Sequence, residues 1–150
     1  NLTEASFMLG TPYKASGYDK EYIVDMLKKL AALGAKQVVL KGIQFDKDQE
    51  KLIGVVGKIG IASYNTENGR ISWYFHEKMD TSFHGTGDIF ASVLTGALVR
   101  GLSLDDSYAL AGDFVVESIK KSHEDHNTYG VDFEAAFPYL LKRLEKEALN

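Results

Sequence analysis

The strongest constraint on the fold is a change of hydrophobic period across one glycine. In "DKEYIVDMLKKLAALG" (19–34) apolar residues recur at Tyr22, Ile23, Met26, Leu27, Leu30 and Leu33. That spacing predicts an amphipathic helix, with Asp19 as its N-cap and Gly34 where a C′ glycine belongs. Two residues later "KQVVLKG" (36–42) is a short apolar run with charged ends, the pattern of a buried strand. Helix, tight glycine turn and buried strand make half of a βαβ unit. The expectation is therefore an α/β layer protein with a parallel component at 36–42.

The flanking segments fit that class. "NLTEASFML" predicts a short first helix, capped by Asn1 or Thr3 and stopped by Gly10. "LIGVVG" (52–57) and "KIGIASYN" (58–65) read as strands, and Asn68-Gly69 predicts a hairpin into "RISWYFHEK" (70–78). In that last strand Ile71, Trp73 and Phe75 alternate with Ser72, Tyr74 and His76, so the aromatics are expected in the core. Three helices follow. "DIFASVLTGALVRG" (88–101) is almost wholly apolar and is expected to be buried against a sheet. "SLDDSYALAGDFVVESIKKSHE" (103–124) carries Ser103 and Asp106 at capping-box positions. In the last helix Pro138 is expected to make a kink or mark the start.

Composition narrows the function. With 17 basic and 21 acidic side chains the net charge is −4, which argues against a broad nucleic-acid surface. There is no cysteine, hence no disulfide frame, thiolate metal site or thiol nucleophile. That fits a reducing compartment, and the cytoplasm is the expected location. No apolar run approaches membrane-spanning length. The opening "NLTEASFMLG" is chemically specific from its first residue, so the sequence is expected to start partway through a longer protein.

The segment "HGTGDIF" (84–90) carries the clearest chemistry. Glycines ahead of a helix let backbone amides approach a ligand, and the first turn presents unpaired N–H groups with a partial positive charge. Gly85, Thr86 and Gly87 can thus form an anion cradle. Asp88 beside them is either an ordinary N-cap or a base that accepts a proton while a phosphoryl group occupies the cradle. No Gly-Lys-Ser/Thr follows, so this is not a Walker A loop, and Phe90 stands where a dinucleotide fingerprint needs its third glycine. His123 and His126 lack a third ligand and read as a solvated helix end, and "HEKMD" is not the zinc-protease motif.

"HGTGDIFASVLTGAL" (84–98), with "NLTEASFMLG" and the late "YGVDFE" (129–134), resembles the ribokinase-like superfamily of small-molecule kinases, most nearly its pyridoxal/pyridoxamine kinase branch. The resemblance implies the C-terminal half of a ribokinase-like α/β/α sandwich, with a mixed sheet including hairpins, as a single nucleotide-binding domain over 1–150. It implies phosphorylation of the 5′-hydroxymethyl group of a B6 vitamer by ATP with Mg2+, in an enzyme that is a homodimer when full length. Residue by residue, Gly85, Thr86 and Gly87 match the anion hole and Asp88 the catalytic base. Asn1 and Glu4 match an N-x-x-E motif that places the magnesium. Lys41 and Gly42 match the place where the sheet meets the nucleotide, and 115–130 the wall around adenine. From the residues alone Glu4 is equally a solvated carboxylate, and Lys41 a strand-end lysine in water. Many relatives carry a His-Pro pair before the glycine motif; here the sequence is "YFHEKMD", with His76 near that position. These 150 residues are expected to lack most of the substrate pocket and to be inactive alone. Two alternatives stay open: a hydroxymethylpyrimidine or sugar kinase of the same superfamily, or a non-catalytic nucleotide-binding fragment.

Overall fold

The computed structural model describes residues 1–80, 83–124 and 130–148. They divide into two compact units, Asn1–Glu77 and Lys78–Asn150, each taken by itself below.

The first unit sets two helices on one face of a three-stranded sheet in the order β1-β2-β3. Helix α1 (Leu2–Leu9) is defined at both ends by local chemistry. The Asn1 side chain accepts from the Glu4 amide at 3.0 Å, and the Glu4 carboxylate accepts from the Asn1 nitrogen at 2.7 Å. Together these form a capping box. At the other end Gly10 is left-handed and closes the helix. Helix α2 (Lys20–Ala31) is capped by Asp19, which accepts from the Tyr22 amide at 2.9 Å. Its Ile23, Met26, Leu27 and Leu30 are buried with Leu2 and Ala5 of α1 and with Leu40, Ile43, Phe45 and Ala62 from the sheet side. Trp73 and Phe75 pack onto this cluster, as their alternation predicts, and Lys20 lies over both rings.

β1 (Gln37–Ile43) pairs antiparallel with β2 (Lys58–Asn65), which pairs antiparallel with β3 (Ile71–Glu77). The Asn68-Gly69 turn joins β2 to β3, with Gly69 at φ 71°. No parallel ladder joins the described strands, contrary to the expectation for 36–42. The element before α2 is a helix, so no described strand precedes β1 to run alongside it. A β-bulge falls at Gly42: Lys41 faces Ile61, Ile43 faces Gly60, and Gly42 takes φ 75°.

The segment read as a strand at 52–57 is another correction. Helix α3 (Lys47–Ile53) occupies its first part. Asp46 accepts from the Gln49 amide at 3.0 Å, and left-handed Gly54 ends the helix after under two turns. Asp at the N-cap and glycine at the stop outweigh the β-propensity of Ile53, Val55 and Val56.

The second unit is helical. α4 (Thr86–Val99) lies along α5 (Leu104–Glu124), and a 3-10 turn (Glu134–Ala136) with α6 (Phe137–Ala148) packs on α5. Ser103 caps α5 together with Asp106, as expected. Pro138 is the second residue of α6 and marks its start. Arg143 of α6 donates to Asp113 of α5 at 2.9 Å and to Tyr139 at 2.8 Å. The expected burial of 88–101 is not met. Of α4 only Phe90 and Ala97 are buried, while Val99 is 83% exposed. α4 meets α5 along one side; Ile89, Val93 and Leu94 are half-buried, and Leu98 and Val99 are exposed.

Candidate functional site

The start of α4 has the geometry of an anion site. Gly85 is its N-cap at φ 91°, ψ −8°, a backbone shape that side-chain-bearing residues rarely take, and no side chain caps the helix. The first intrahelical bond runs from the Ile89 amide to the Gly85 carbonyl at 3.0 Å. Among the described residues no acceptor takes the amides of Gly85, Thr86, Gly87 or Asp88. Four donors at the positive end of a 14-residue helix therefore stand open. The Thr86 hydroxyl donates back to the Phe83 carbonyl at 3.3 Å, which ties the turn to the chain before it. Phe83 is itself held edge-on by the His123 ring, 5.4 Å between centroids.

Asp88 is the third helical residue rather than the N-cap, and it is exposed. Its backbone carbonyl accepts from the Ser92 hydroxyl at 2.8 Å, but among the described residues nothing binds its carboxylate. The acid is thus open to solvent in the same turn as these amides.

The other sequence-predicted residues gather in the first unit. The bulge brings Gly42 against Asn1: a Cβ built on Gly42 would stand 4.0 Å from the Asn1 Cβ. The capping-box hydrogen bond from the Asn1 backbone nitrogen holds the Glu4 carboxyl below the usual carboxylate range. Partial burial opposes this, and the charge of Lys41 adds to it. Asn1, Glu4, Lys41 and Gly42 therefore share one place, where the capping box meets the bulge. The bulge itself was not foreseen; a glycine inside an apolar strand is the signal that marks it.

Asn1 Oδ1 and Glu4 Oε2 are both engaged in the capping box, and the Glu4 side chain is 69% exposed. Among the described residues no group of three or more His, Cys, Asp or Glu could hold a metal ion. One carboxylate oxygen suits magnesium, which keeps most of its waters and relies on phosphate oxygens, better than a metal caged by protein.

His76 donates through Nδ1 to the Glu77 carbonyl, 3.0 Å away, and its ring lies near Tyr74. Of the adenine-wall segment, 115–124 is the C-terminal half of α5, and 125–129, with His126, lie outside the described residues. No helix among the described residues is long and apolar enough to cross a membrane.

Comparison with known structures gives the fold of small-molecule kinases. A Bacteroides thetaiotaomicron protein assigned as a phosphomethylpyrimidine kinase matches at TM-score 0.80 and 27% identity, over 93% of this chain and 46% of its own. Pyridoxal kinase from Lactobacillus plantarum matches at TM-score 0.76 and 24% identity, over 97% and 49%. Pyridoxal kinase from Staphylococcus aureus in complex with AMP-PCP matches at TM-score 0.62 and 24% identity, over 80% and 40%. The chain spans between 40% and 49% of the length of these three. No curated protein sequence matches it. The phosphomethylpyrimidine kinase family model matches residues 1–131, and the chain belongs to that family.

Proposed function

We propose that this chain is the nucleotide-binding and base-bearing part of an ATP-dependent kinase that phosphorylates the 5′-hydroxymethyl group of a B6 vitamer. One observation carries the reading: four amides without a described acceptor lead into α4 directly beside an exposed, unpaired Asp88 carboxylate. The amides of Gly85, Thr86 and Gly87 bind the oxygens of the transferring phosphoryl group and stabilise the charge spread over them in a loose transition state. Asp88 holds the substrate hydroxyl in line and takes its proton as the new O–P bond forms and the bond to the ADP oxygen breaks. Glu4 binds waters of a magnesium ion, Asn1 holds Glu4 in place, and Lys41 at the Gly42 bulge meets the nucleotide phosphates as a point charge. When bound, magnesium withdraws charge from the phosphate oxygens. On this reading the full-length enzyme is a cytoplasmic homodimer. The pyridoxal kinase neighbours, one in complex with an ATP analogue, support the vitamer and the nucleotide.

The family description favours a second reading, with a hydroxymethylpyrimidine as the alcohol. A coupled assay on the enzyme that carries this chain separates the two by comparing pyridoxal, pyridoxamine, pyridoxine and hydroxymethylpyrimidine. In the same assay Asp88→Asn is expected to lower kcat by roughly 10²–10⁴ with nucleotide affinity kept. Near-normal turnover in the variant removes Asp88 as base.

A further inference from the structure

Resting on the reading of the α4 start as a phosphate cradle, we propose that Ser122 is a positioning residue that aims the cradle from the far end of α5. Ser122 is fully buried. Its hydroxyl donates to the Ser118 carbonyl at 2.8 Å and accepts from the Asp132 amide at 2.7 Å. One side chain thus fastens the segment at 130–132 to α5. That segment reaches the cradle through its neighbouring residue: the Val131 amide donates to the His84 carbonyl at 3.2 Å, and His84 and Gly130 form a parallel bridge. Val131 also lies beside Gly85, its Cγ1 3.7 Å from where a Cβ there would be.

Peptide planarity carries the effect onward. The His84 carbonyl and the Gly85 N–H belong to one trans peptide unit and point in opposite directions. Fixing the carbonyl on Val131 therefore directs the first cradle amide away from the strap and outward. Without Ser122 the Asp132 amide loses its acceptor, the strap loosens, and the plane holding the Gly85 N–H is free to turn. Ser118 offers a matched control. It is equally buried and bonds back to the Phe114 carbonyl at 2.8 Å, but its hydroxyl makes no bond to the strap.

The test compares Ser122→Ala with Ser118→Ala and Ser122→Thr in this chain, by amide hydrogen exchange and by calorimetric titration with MgADP. Ser122→Ala is expected to speed exchange at Val131 and Asp132 about fivefold to tenfold, the worth of one hydrogen bond. Ser118→Ala leaves both amides protected, and Ser122→Thr, which keeps the hydroxyl, restores them. MgADP affinity is expected to fall in Ser122→Ala and to hold in Ser118→Ala, whatever the two changes do to overall stability. Unchanged exchange at Val131 in Ser122→Ala, or equal changes in both alanine variants, overturns the proposal, as does unaltered MgADP affinity alongside a loosened strap. If the unmodified chain binds no MgADP while Ser122→Ala still frees Val131, the nucleotide reading fails and the strap stands.

Discussion

Replacing Gly85 with alanine separates the shape of the α4 start from its chemistry. At φ 91° the residue sits where an L side chain is disfavoured by about 1–2 kcal/mol. The added methyl meets only Val131 Cγ1, at 3.7 Å, an ordinary van der Waals contact, so no clash adds to that figure. Gly85→Ala is therefore expected to lower unfolding free energy by about 1–2 kcal/mol, read as a lower urea midpoint at unchanged slope. Gly54→Ala is the companion variant. Its backbone is also left-handed, at φ 72°, and nothing lies within 4 Å of a Cβ built there. It is expected to cost a similar amount, about 1 kcal/mol, at a helix end that carries none of the proposed phosphate-binding groups. The two variants should diverge in titration with MgADP, where Gly85→Ala weakens binding and Gly54→Ala does not. An unchanged midpoint in Gly85→Ala would show that the turn has no need of a left-handed residue. Equal MgADP affinity in both variants would refute the assignment of the phosphate to these amides.

Two further outcomes follow from the first unit. The Ser6 hydroxyl is buried with no hydrogen-bond partner among the described residues, so Ser6→Ala is expected to stabilise the chain by about 1 kcal/mol in the same urea assay. The Glu4 carboxyl lies below its unfolded value, chiefly through the capping-box bond from the Asn1 backbone nitrogen. The stability from that bond is complete above the ordinary carboxylate range and is lost as pH falls through the lowered value. Glu4→Gln is expected to flatten that part of the acid unfolding curve, and an unaltered curve would count against the capping box.

The parts of the fold that were legible in the sequence are those fixed by neighbours along the chain. Asn1 with Glu4, Asp19, Asn68-Gly69, Ser103 with Asp106, and Gly85 each act within four residues, so the residues that decide the structure are adjacent in the text. The failures required knowledge of distant partners. Residues 52–53 have strand-like side chains but belong to a helix closed by Asp46 and Gly54. The parallel ladder for 36–42 depended on a strand that the described residues do not include before β1. The exposure of α4 was hidden because an apolar helix reads the same whether one side or all sides are covered. At the candidate site the motif revealed the open amides and the acid. The strap from Ser122 through Asp132 and Val131 left no trace in the sequence, because it links residues ten apart and then forty-seven apart through backbone atoms.

The single extra residue in β1 has a consequence for which way its neighbours point. An uninterrupted strand alternates strictly, so positions 40 and 43 would fall on opposite sides. Leu40 and Ile43 are nevertheless both in the core, with Phe45 after them. Gly42 resets the count, while Lys41, ahead of it, alternates with Leu40 in the ordinary way. One glycine thus acts as a phase shift in the strand: the residues after it are read one place out of step with those before it, and an isoleucine that strict alternation would turn away is sent inward.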